Sequence, residues 1–187
     1  MEESLLVNVV RTAIPEVLLL EPRVFSDARG YFYESHNRRA FKEATGLDVE
    51  FVQDNISRSA KNVLRGLHYQ IRQPQGKLVR VLAGEIWDVA LDIRRSSPSF
   101  GKWVGLKLSA DDKRAIWVPP GFAHGFIATS KVAVVQYKTT DYYAPEHERT
   151  IRWDDPSLAI AWLRVGEPIL NDKDRRGASL AEAETFE

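Results

Sequence analysis

The amino-acid sequence predicts an all-β domain, either a sandwich or a barrel of short strands. Residues 85–93 alternate with a period of two, which is typical of a half-buried strand. Four apolar side chains share one face of this strand, namely Trp87, Val89, Leu91 and Ile93, whereas Asp88 and Asp92 share the other. Turn residues also interrupt the chain at short intervals, at Gly84 and at residues 96–98, 111–112 and 119–121. Many short strands at such spacing favour a sandwich or barrel.

The remaining elements follow from local patterns. Apolar alternation predicts further strands over residues 63–70, 77–82, 104–108, 115–118 and 132–139. One helix is predicted between Asn37, a capping residue, and Gly46, a helix-ending residue. A second, shorter helix is expected to start near Asn171. We expect residues 179–187 to form a loosely held helix or a frayed end.

Size and composition narrow the class of protein. The 187 residues fit one domain, 1–187, with residues 176–187 peripheral. The 26 basic and 26 acidic side chains cancel, so we expect no nucleic-acid partner and no anionic membrane. The chain has no cysteine, which excludes thiolate nucleophiles and cysteine-based zinc sites. With no signal peptide and no stretch of ~20 apolar residues, a cytoplasmic location is expected.

Residues 63–70 place Arg65 and His68 three positions apart in a predicted strand. An arginine binds phosphate through a planar fork of donors, and a histidine transfers protons near neutral pH. By alternation, His68 shares a face with Gly66 and Gln70, and such a face can line the inside of a barrel. The alternative is a histidine whose ring is satisfied by hydrogen bonds in the core. The pairing with Arg65 favours a site for a phosphorylated ligand.

Residues 119–124 have the form Pro-x-Gly-x-x-His, which resembles the second motif of the cupins, double-sheet jelly-roll barrels that often bind a metal. The first cupin motif requires His-x-His, but here His68 is followed by Tyr69 and Gln70. The resemblance therefore implies a cupin-type double-sheet jelly-roll barrel with a few short helices and no metal site. His124 is then either a hydrogen-bond donor in a pocket or a turn residue.

Residues 25–34 are similar to the Phe-x-Asp-x-Arg-Gly-x-Phe-x-Glu signature of the dTDP-4-dehydrorhamnose 3,5-epimerase family. Five further motifs match that family in order, over residues 51–55, 64–70, 75–80, 100–103 and 121–126. The resemblance extends from about Val9 to Arg175. It implies cofactor-free conversion of dTDP-4-dehydro-6-deoxy-D-glucose to dTDP-4-dehydro-L-rhamnose, by inversion of carbons 3 and 5 in dTDP-L-rhamnose biosynthesis.

The resemblance also implies roles for individual residues. Inversion beside a ketone needs a base on one face of the sugar, an acid on the other and a donor for the enolate oxygen. His68 matches the base, and Asp174 matches the carboxylate that pairs with it, although Asp172 is a rival of the same type. Tyr137 matches the acid, and Lys77 matches the ammonium beside the C4 carbonyl.

Other positions match substrate contacts of the family. Arg29, Arg65 and Lys173 match residues that contact the diphosphate or the sugar. Five more match other contacts with the substrate, namely Glu34, Gln53, Asn55, His124 and Glu148. Tyr143 is interpreted as a stacking partner of the thymine. Family members also form homodimers through sheet edges, so a homodimer is expected.

Three alternatives stay open. A relative that inverts only one carbon, or that moves the keto group along the ring, would share the same base. A metal-dependent cupin oxygenase or isomerase is disfavoured by the missing His-x-His. A sugar-nucleotide binding module without catalysis is disfavoured because binding needs no opposed acid and base.

Overall fold

The computed structural model describes residues 7–187, and two antiparallel sheets dominate it. The larger sheet has six strands: β1 (Val7–Arg11), β2 (Leu18–Pro22), β5 (Gln53–Ala60), β7 (Lys77–Ala83), β10 (Ala115–Val118) and β12 (Val132–Thr139). They lie side by side in the order β1, β2, β10, β7, β12, β5. Strand β5 therefore forms one edge of this sheet, next to β12.

The smaller sheet has five strands: β6 (Leu64–Gln70), β8 (Glu85–Asp92), β9 (Trp103–Ser109), β11 (Phe122–Ala128) and β13 (Glu148–Thr150). Their order is β13, β6, β11, β8, β9. A separate hairpin consists of β3 (Phe25–Asp27) and β4 (Gly30–Phe32). The helical segments are α1 (Arg38–Thr45), a 3₁₀ turn at Pro145–His147 and α2 (Asp172–Arg175).

The main core lies between the two sheets. Val79 and Val135 of the larger sheet belong to one buried cluster with Ile86 and Phe126 of the smaller sheet. Side chains from both inner faces thus interdigitate, as in a closed double-sheet barrel. The predicted all-β barrel with few short helices is confirmed.

The outer face of the smaller sheet is covered as well, by the C-terminal part of the chain. Leu67 and Val89 pack there with Leu158 and Ala183. Strand β8 is consequently buried on both faces, and Asp88 is fully buried. The prediction of a half-buried β8 was wrong, because alternation along one strand does not show what packs against each face.

The last residues of the chain are also ordered differently from the prediction. Residues 179–187 contain no helix. The backbone N–H of Phe186 donates to the carbonyl of Ile93, and its carbonyl accepts from the N–H of Arg95. Ala183 is buried. The expected frayed end was therefore wrong, because apolar side chains hold this segment against the smaller sheet.

Both predicted helices are present. The side chain of Asn37 accepts a hydrogen bond from the N–H of Ala40, and Gly46 ends α1 at φ 76°, a conformation that glycine adopts without strain. Phe41 of α1 packs edge-on against Trp117 on the outer face of the larger sheet. Asn171 caps α2 by accepting from the N–H of Asp174. This hydrogen bond fixes the first residue of α2 and therefore the direction in which the Asp174 side chain points.

Candidate active site

A cavity of about 360 Å³ opens between the two sheets. Both sheets contribute side chains to it, since β5, β7 and β12 line one side while β6 and β11 line the other. All but two of the predicted site residues line this cavity: His68, Asp174, Tyr137, Lys77, Gln53, Asn55, Arg65, His124, Tyr143, Glu148 and Lys173. A predicted polar face of β6 thus does look into a cavity.

His68 and Asp174 form the central pair of the cavity. The Nε2 atom of His68 lies 2.5 Å from Oδ1 of Asp174, although the two residues are 106 positions apart. Asp174 is buried, whereas Asp172 is exposed, so α2 turns only Asp174 towards the histidine. An ionised carboxylate can only accept, so Nε2 carries the hydrogen and Nδ1 keeps its lone pair. This arrangement suits a general base.

Burial determines the charge of His68. Removal from water lowers the pKa of this imidazole below its ordinary 6.5, and hydrogen bonding and attraction from Asp174 oppose that effect only in part. The ring is therefore neutral at pH 7. Once it accepts a proton, the adjacent carboxylate stabilises the resulting imidazolium.

A second buried pair, His124 and Asp88, lies beside the first. His124 pairs with His68 in the register of β11 and β6. Its Nε2 donates to the carboxylate of Asp88, at 2.8 Å from Oδ2 and 3.0 Å from Oδ1. His124 is thus a strand residue that lines the cavity, and the alternative of a turn residue was wrong.

Two glycines allow these strands to approach each other. A Cβ on Gly66 would lie 2.5 Å from Cα of Gly125, and a Cβ on Gly125 would lie 2.7 Å from the carbonyl oxygen of Arg65. Gly66 also has φ 124°, which side chains rarely adopt. A larger residue at either position would separate β6 from β11 and displace His68 and His124.

Tyr137 faces the cavity from the opposite sheet. In β12 it pairs with Asn55 of β5, and the side chains of both residues line the cavity. Burial raises the pKa of the Tyr137 phenol above its ordinary 10, although the nearby Arg65 lowers it. The phenol therefore keeps its proton at neutral pH and can donate it.

Lys77 is an almost fully buried cation next to the histidine. Its Nζ donates to the backbone carbonyl of His68 at 3.2 Å. Burial lowers the pKa of Lys77 to about 8, while the carboxylates of Glu148 and Asp88 act in the opposite direction. The side chain is thus mostly an ammonium at pH 7 and places a positive charge inside a poorly solvated cavity.

Charged and aromatic groups surround the mouth of the cavity. Lys173 donates to Oε1 of Glu148 at 2.7 Å, and the hydroxyl of Tyr143 donates to Oε2 at 3.0 Å. Burial raises the pKa of Glu148, but the contacts with Lys173 outweigh this effect and leave it below its ordinary value. Tyr143 is 52% exposed. Much of this side chain is therefore accessible to a ligand.

Arg65 reaches the cavity from β6. Its Nε donates to the hydroxyl of Ser59 at 3.0 Å, and one terminal nitrogen donates to the carbonyl of Arg58 at 3.3 Å. These two hydrogen bonds use Nε and one terminal nitrogen on the same edge of the guanidinium group. The rest of the planar fork is suited to an anionic group such as phosphate.

Arg29 and Glu34 do not reach this cavity. All residues of β3 and β4 are exposed, and the guanidinium of Arg29 is paired with Asp27. Glu34 accepts from the side chain of Asn37. Neither residue lines the cavity of its own chain, so their contact with the substrate stays a prediction.

The sequence interpretation missed several lining residues, among them Ser57, Gln70, Gln75 and Asn171. Alternation contained a signal for two of them. Ser57 continues the face of Gln53 and Asn55, and Gln70 continues the face of His68. Gln75 and Asn171 lie outside the strands, where no periodic pattern indicates the direction of a side chain.

The structure describes residues 7–187 of the chain. Within that range, no three histidine or acidic side chains gather closely enough to hold a metal ion. No helix in the described part of the chain has the length and apolar character needed to cross a membrane.

Comparison with known proteins gives a consistent result. The family model described as dTDP-4-dehydrorhamnose 3,5-epimerase matches residues 11–182. The dTDP-4-dehydrorhamnose 3,5-epimerase of Pseudomonas aeruginosa is 61% identical over 176 residues, which cover 94% of this chain and 97% of that protein.

Solved structures agree in fold. The dTDP-6-deoxy-D-glucose-3,5-epimerase of Legionella pneumophila, solved with dTDP-4-keto-L-rhamnose, superposes with a TM-score of 0.93 at 50% identity and 95% coverage of both chains. A 3'-monoepimerase of Streptomyces bikiniensis, solved with dTDP-quinovose, gives 0.86 at 32% identity, covering 91% of this chain and 87% of that one. The cupin-type fold is thereby confirmed. A family model over most of the length, together with a relative of such high identity, shows that the chain belongs to the dTDP-4-dehydrorhamnose 3,5-epimerase family.

Proposed function

We propose that this isomerase converts dTDP-4-dehydro-6-deoxy-D-glucose to dTDP-4-dehydro-L-rhamnose in dTDP-L-rhamnose biosynthesis. The observation that carries this proposal is the placement of His68 and Tyr137 on opposite sheets around one cavity. A base and an acid on opposite faces of a sugar are what an inversion requires. The relative of highest identity reported above is named as a 3,5-epimerase, which supports inversion at both carbons.

The proposed chemistry begins with loss of a proton. Carbons 3 and 5 both flank the C4 ketone, so removing a proton from either gives an enolate. In our mechanism, Nδ1 of His68 takes the proton, and Asp174 stabilises the imidazolium. The ammonium of Lys77 stabilises the enolate oxygen. Tyr137 then protonates the carbon from the opposite face, which inverts it. The imidazolium next loses its proton to solvent and the phenolate takes one from solvent, so that the same pair can invert the second carbon.

We assign the nucleotide to the mouth of the cavity. Arg65 and Lys173 would bind the diphosphate, since both are cations that line the cavity. Tyr143 would stack on the thymine with its exposed face. Gln53, Asn55, His124 and Glu148 would contact the remaining polar groups of the substrate.

Epimerisation in heavy water tests the proposal directly. The protein is mixed with dTDP-4-dehydro-6-deoxy-D-glucose in D₂O, and the product is examined by NMR. We expect deuterium at C3 and C5 and the L-rhamno configuration. Protium retained at both carbons in an active preparation would contradict the mechanism. Deuterium at C3 alone would identify a single-carbon epimerase, and a shifted carbonyl would identify a ketoisomerase.

We also propose that the reaction needs no cofactor. The ketone itself stabilises the carbanion, and Lys77 supplies the positive charge for the oxygen. Activity should therefore persist after dialysis against a strong chelator. Loss of activity that returns with added iron or zinc would support the metal-dependent alternative instead.

A homodimer is a further proposal. The hairpin of β3 and β4 exposes Tyr31 and Phe32 at 61% and 67%, and Arg29 lies at its tip. A second subunit would cover these aromatic rings, and it would give Arg29 and Glu34 access to a cavity other than their own. Light scattering should give twice the mass of the 21.3-kDa chain. A monomeric, fully active protein would contradict this proposal.

Two expectations remain predictions. A cytoplasmic location is consistent with a chain that has no cysteine. The equal numbers of basic and acidic side chains favour a small-molecule substrate over nucleic acid. Cell fractionation and a salt-dependent nucleic-acid binding assay would test them.

A further inference from the structure

Gln70 is a buried amide at the end of β6, two residues beyond His68. It is 3% exposed. Its Nε2 donates to the carbonyl of Gln73 at 2.8 Å and to the carbonyl of Tyr142 at 3.2 Å. Its Oε1 accepts from the backbone N–H of Ala144 at 2.9 Å. One side chain therefore holds the backbone on both sides of Tyr143.

Residues 141–144 form an irregular segment after β12, yet polar side chains hold it throughout. The carbonyl of Asp141 accepts from Gln75 at 2.9 Å and from the Thr139 hydroxyl at 2.9 Å. The N–H of Tyr143 itself donates to Oε1 of Gln53 at 2.9 Å. The segment is consequently fixed without belonging to a sheet.

The backbone of residues 141–144 is held by hydrogen bonds, but the ring of Tyr143 on this segment is exposed. Tyr143 is 52% exposed, and its hydroxyl is held by Glu148 at the mouth of the cavity. An exposed ring on a fixed backbone loses little conformational entropy when a flat ligand stacks on it. The same ring on a mobile loop would bind more weakly.

We propose that Gln70 is a positioning residue that holds Tyr143 as a ready-made platform for the nucleotide base. Gln70 acts through the backbone of Tyr142 and Ala144, and it has no part in proton transfer. The proposal rests on the proposed function, in which Tyr143 stacks on thymine. It predicts that Gln70 determines affinity for the nucleotide and not the rate of the chemical step.

Binding of dTDP to the Gln70→Ala variant tests this inference by calorimetry. We expect the Kd to rise about tenfold, a substantial part of what stacking on one aromatic ring contributes. The KM should rise with it, while kcat changes little. Binding of inorganic pyrophosphate should be unchanged, since that ligand has no base. A variant with wild-type affinity for dTDP would overturn the proposal.

A double-mutant cycle separates positioning from a general effect on structure. In the Tyr143→Ala background, Gln70→Ala should cause little further loss of dTDP affinity, because the platform is already absent. If the double variant loses dTDP affinity by the product of the two single losses, Gln70 does not act through Tyr143. Gln136→Ala is the matched control, since this glutamine lies in β12 and does not line the cavity.

If the Gln70→Ala variant does not fold, the Gln70→Glu variant provides the same test of dTDP binding. Glutamate retains the acceptor for Ala144 but loses both donated bonds, so dTDP binding should weaken while pyrophosphate binding persists. Wild-type affinity in this folded variant would overturn the proposal. If the wild-type protein itself fails to bind dTDP, the proposed function fails, which is a different outcome from the failure of Gln70 alone.

Discussion

His68 depends on one neighbour for its chemistry. The hydrogen bond from Nε2 to Asp174 fixes the orientation of the ring and leaves Nδ1 as the only basic atom. Burial keeps the ring neutral before the reaction, and the carboxylate stabilises it after protonation. In the proposed mechanism the two effects act at different stages, so an efficient base would need both residues.

The His68→Ala variant should lose C3 and C5 deuterium exchange by about 10²–10⁴-fold, because no other base replaces the imidazole. Asp174→Asn should also slow exchange, since an amide does not stabilise imidazolium. NMR in D₂O measures both rates. Calorimetry with dTDP provides the control, and affinity should stay unchanged. Normal turnover in His68→Ala would exclude this residue as the base.

The pH dependence of kcat/KM should be bell-shaped. Activity falls at acid pH as His68 becomes protonated, and this limb lies below the ordinary value of 6.5 because burial lowers its pKa. Activity also falls above about 8, where Lys77 loses its proton.

Substitution of Lys77 tests whether this residue causes the loss of activity at alkaline pH. Lys77→Met removes the cation, so kcat should fall by about 10²–10³-fold and the limb near pH 8 should disappear. Steady-state rates between pH 5 and pH 10 provide the measurement. An unchanged alkaline limb in this variant would assign it to a group other than Lys77.

Strand β8 ends in a buried carboxylate, that of Asp92. Asp92 at its end accepts hydrogen bonds from Arg94, Ser97 and Ser99. Burial raises the pKa of this carboxyl, but these hydrogen bonds outweigh it and lower the pKa from 3.8 to about 2. The carboxylate therefore orders the turn that follows β8.

Asp92→Asn should lower the free energy of unfolding at pH 7 by about 2 kcal/mol. The native-state pKa is depressed, so this contribution is present above pH 4 and is lost as the pH falls towards 2. Urea unfolding at pH 7 and at pH 3 measures the difference. Asp54→Asn is the matched control, because Asp54 is half-exposed and its ion pair with Lys138 contributes only ~0–1 kcal/mol. Equal losses at both pH values would contradict this explanation.

At the scale of the whole molecule, residues 178–187 pack on the outside of the barrel. The C-terminal segment covers the outer face of the smaller sheet, where the hydroxyl of Tyr69 donates to the carbonyl of Glu184. The cavity lies on the opposite face of that sheet. One face of β6 therefore packs against the C-terminal segment, and the other carries the residues of the proposed active site.

Deletion of residues 182–187 should destabilise the fold by about 1–3 kcal/mol, since it exposes apolar groups that Ala183 and Phe186 cover. Thermal unfolding measures this loss. Deletion of Glu187 alone is the control, because that residue is exposed. The affinity for dTDP should be retained in both. An unchanged melting temperature in the longer deletion would show that the segment contributes nothing to stability.

The sequence by itself determined the chemical groups and about half of the strands. Local patterns predicted β10, β12 and α1 closely, because alternation, capping residues and glycine act over a few positions. The ordered motifs indicated the family and most residues of the cavity. Strands β1 to β5 and β13 were not predicted, and β11 was also missed, since residues 119–126 were interpreted through a motif that contains turn residues.

Only the tertiary structure decided which groups meet. Asp174 rather than Asp172 pairs with His68, Asp88 is buried against His124, and the hairpin that carries Arg29 does not line the cavity of its own chain. Each outcome depends on contacts between segments far apart in the chain. A local pattern states which face of an element is apolar, but it does not state what packs against that face.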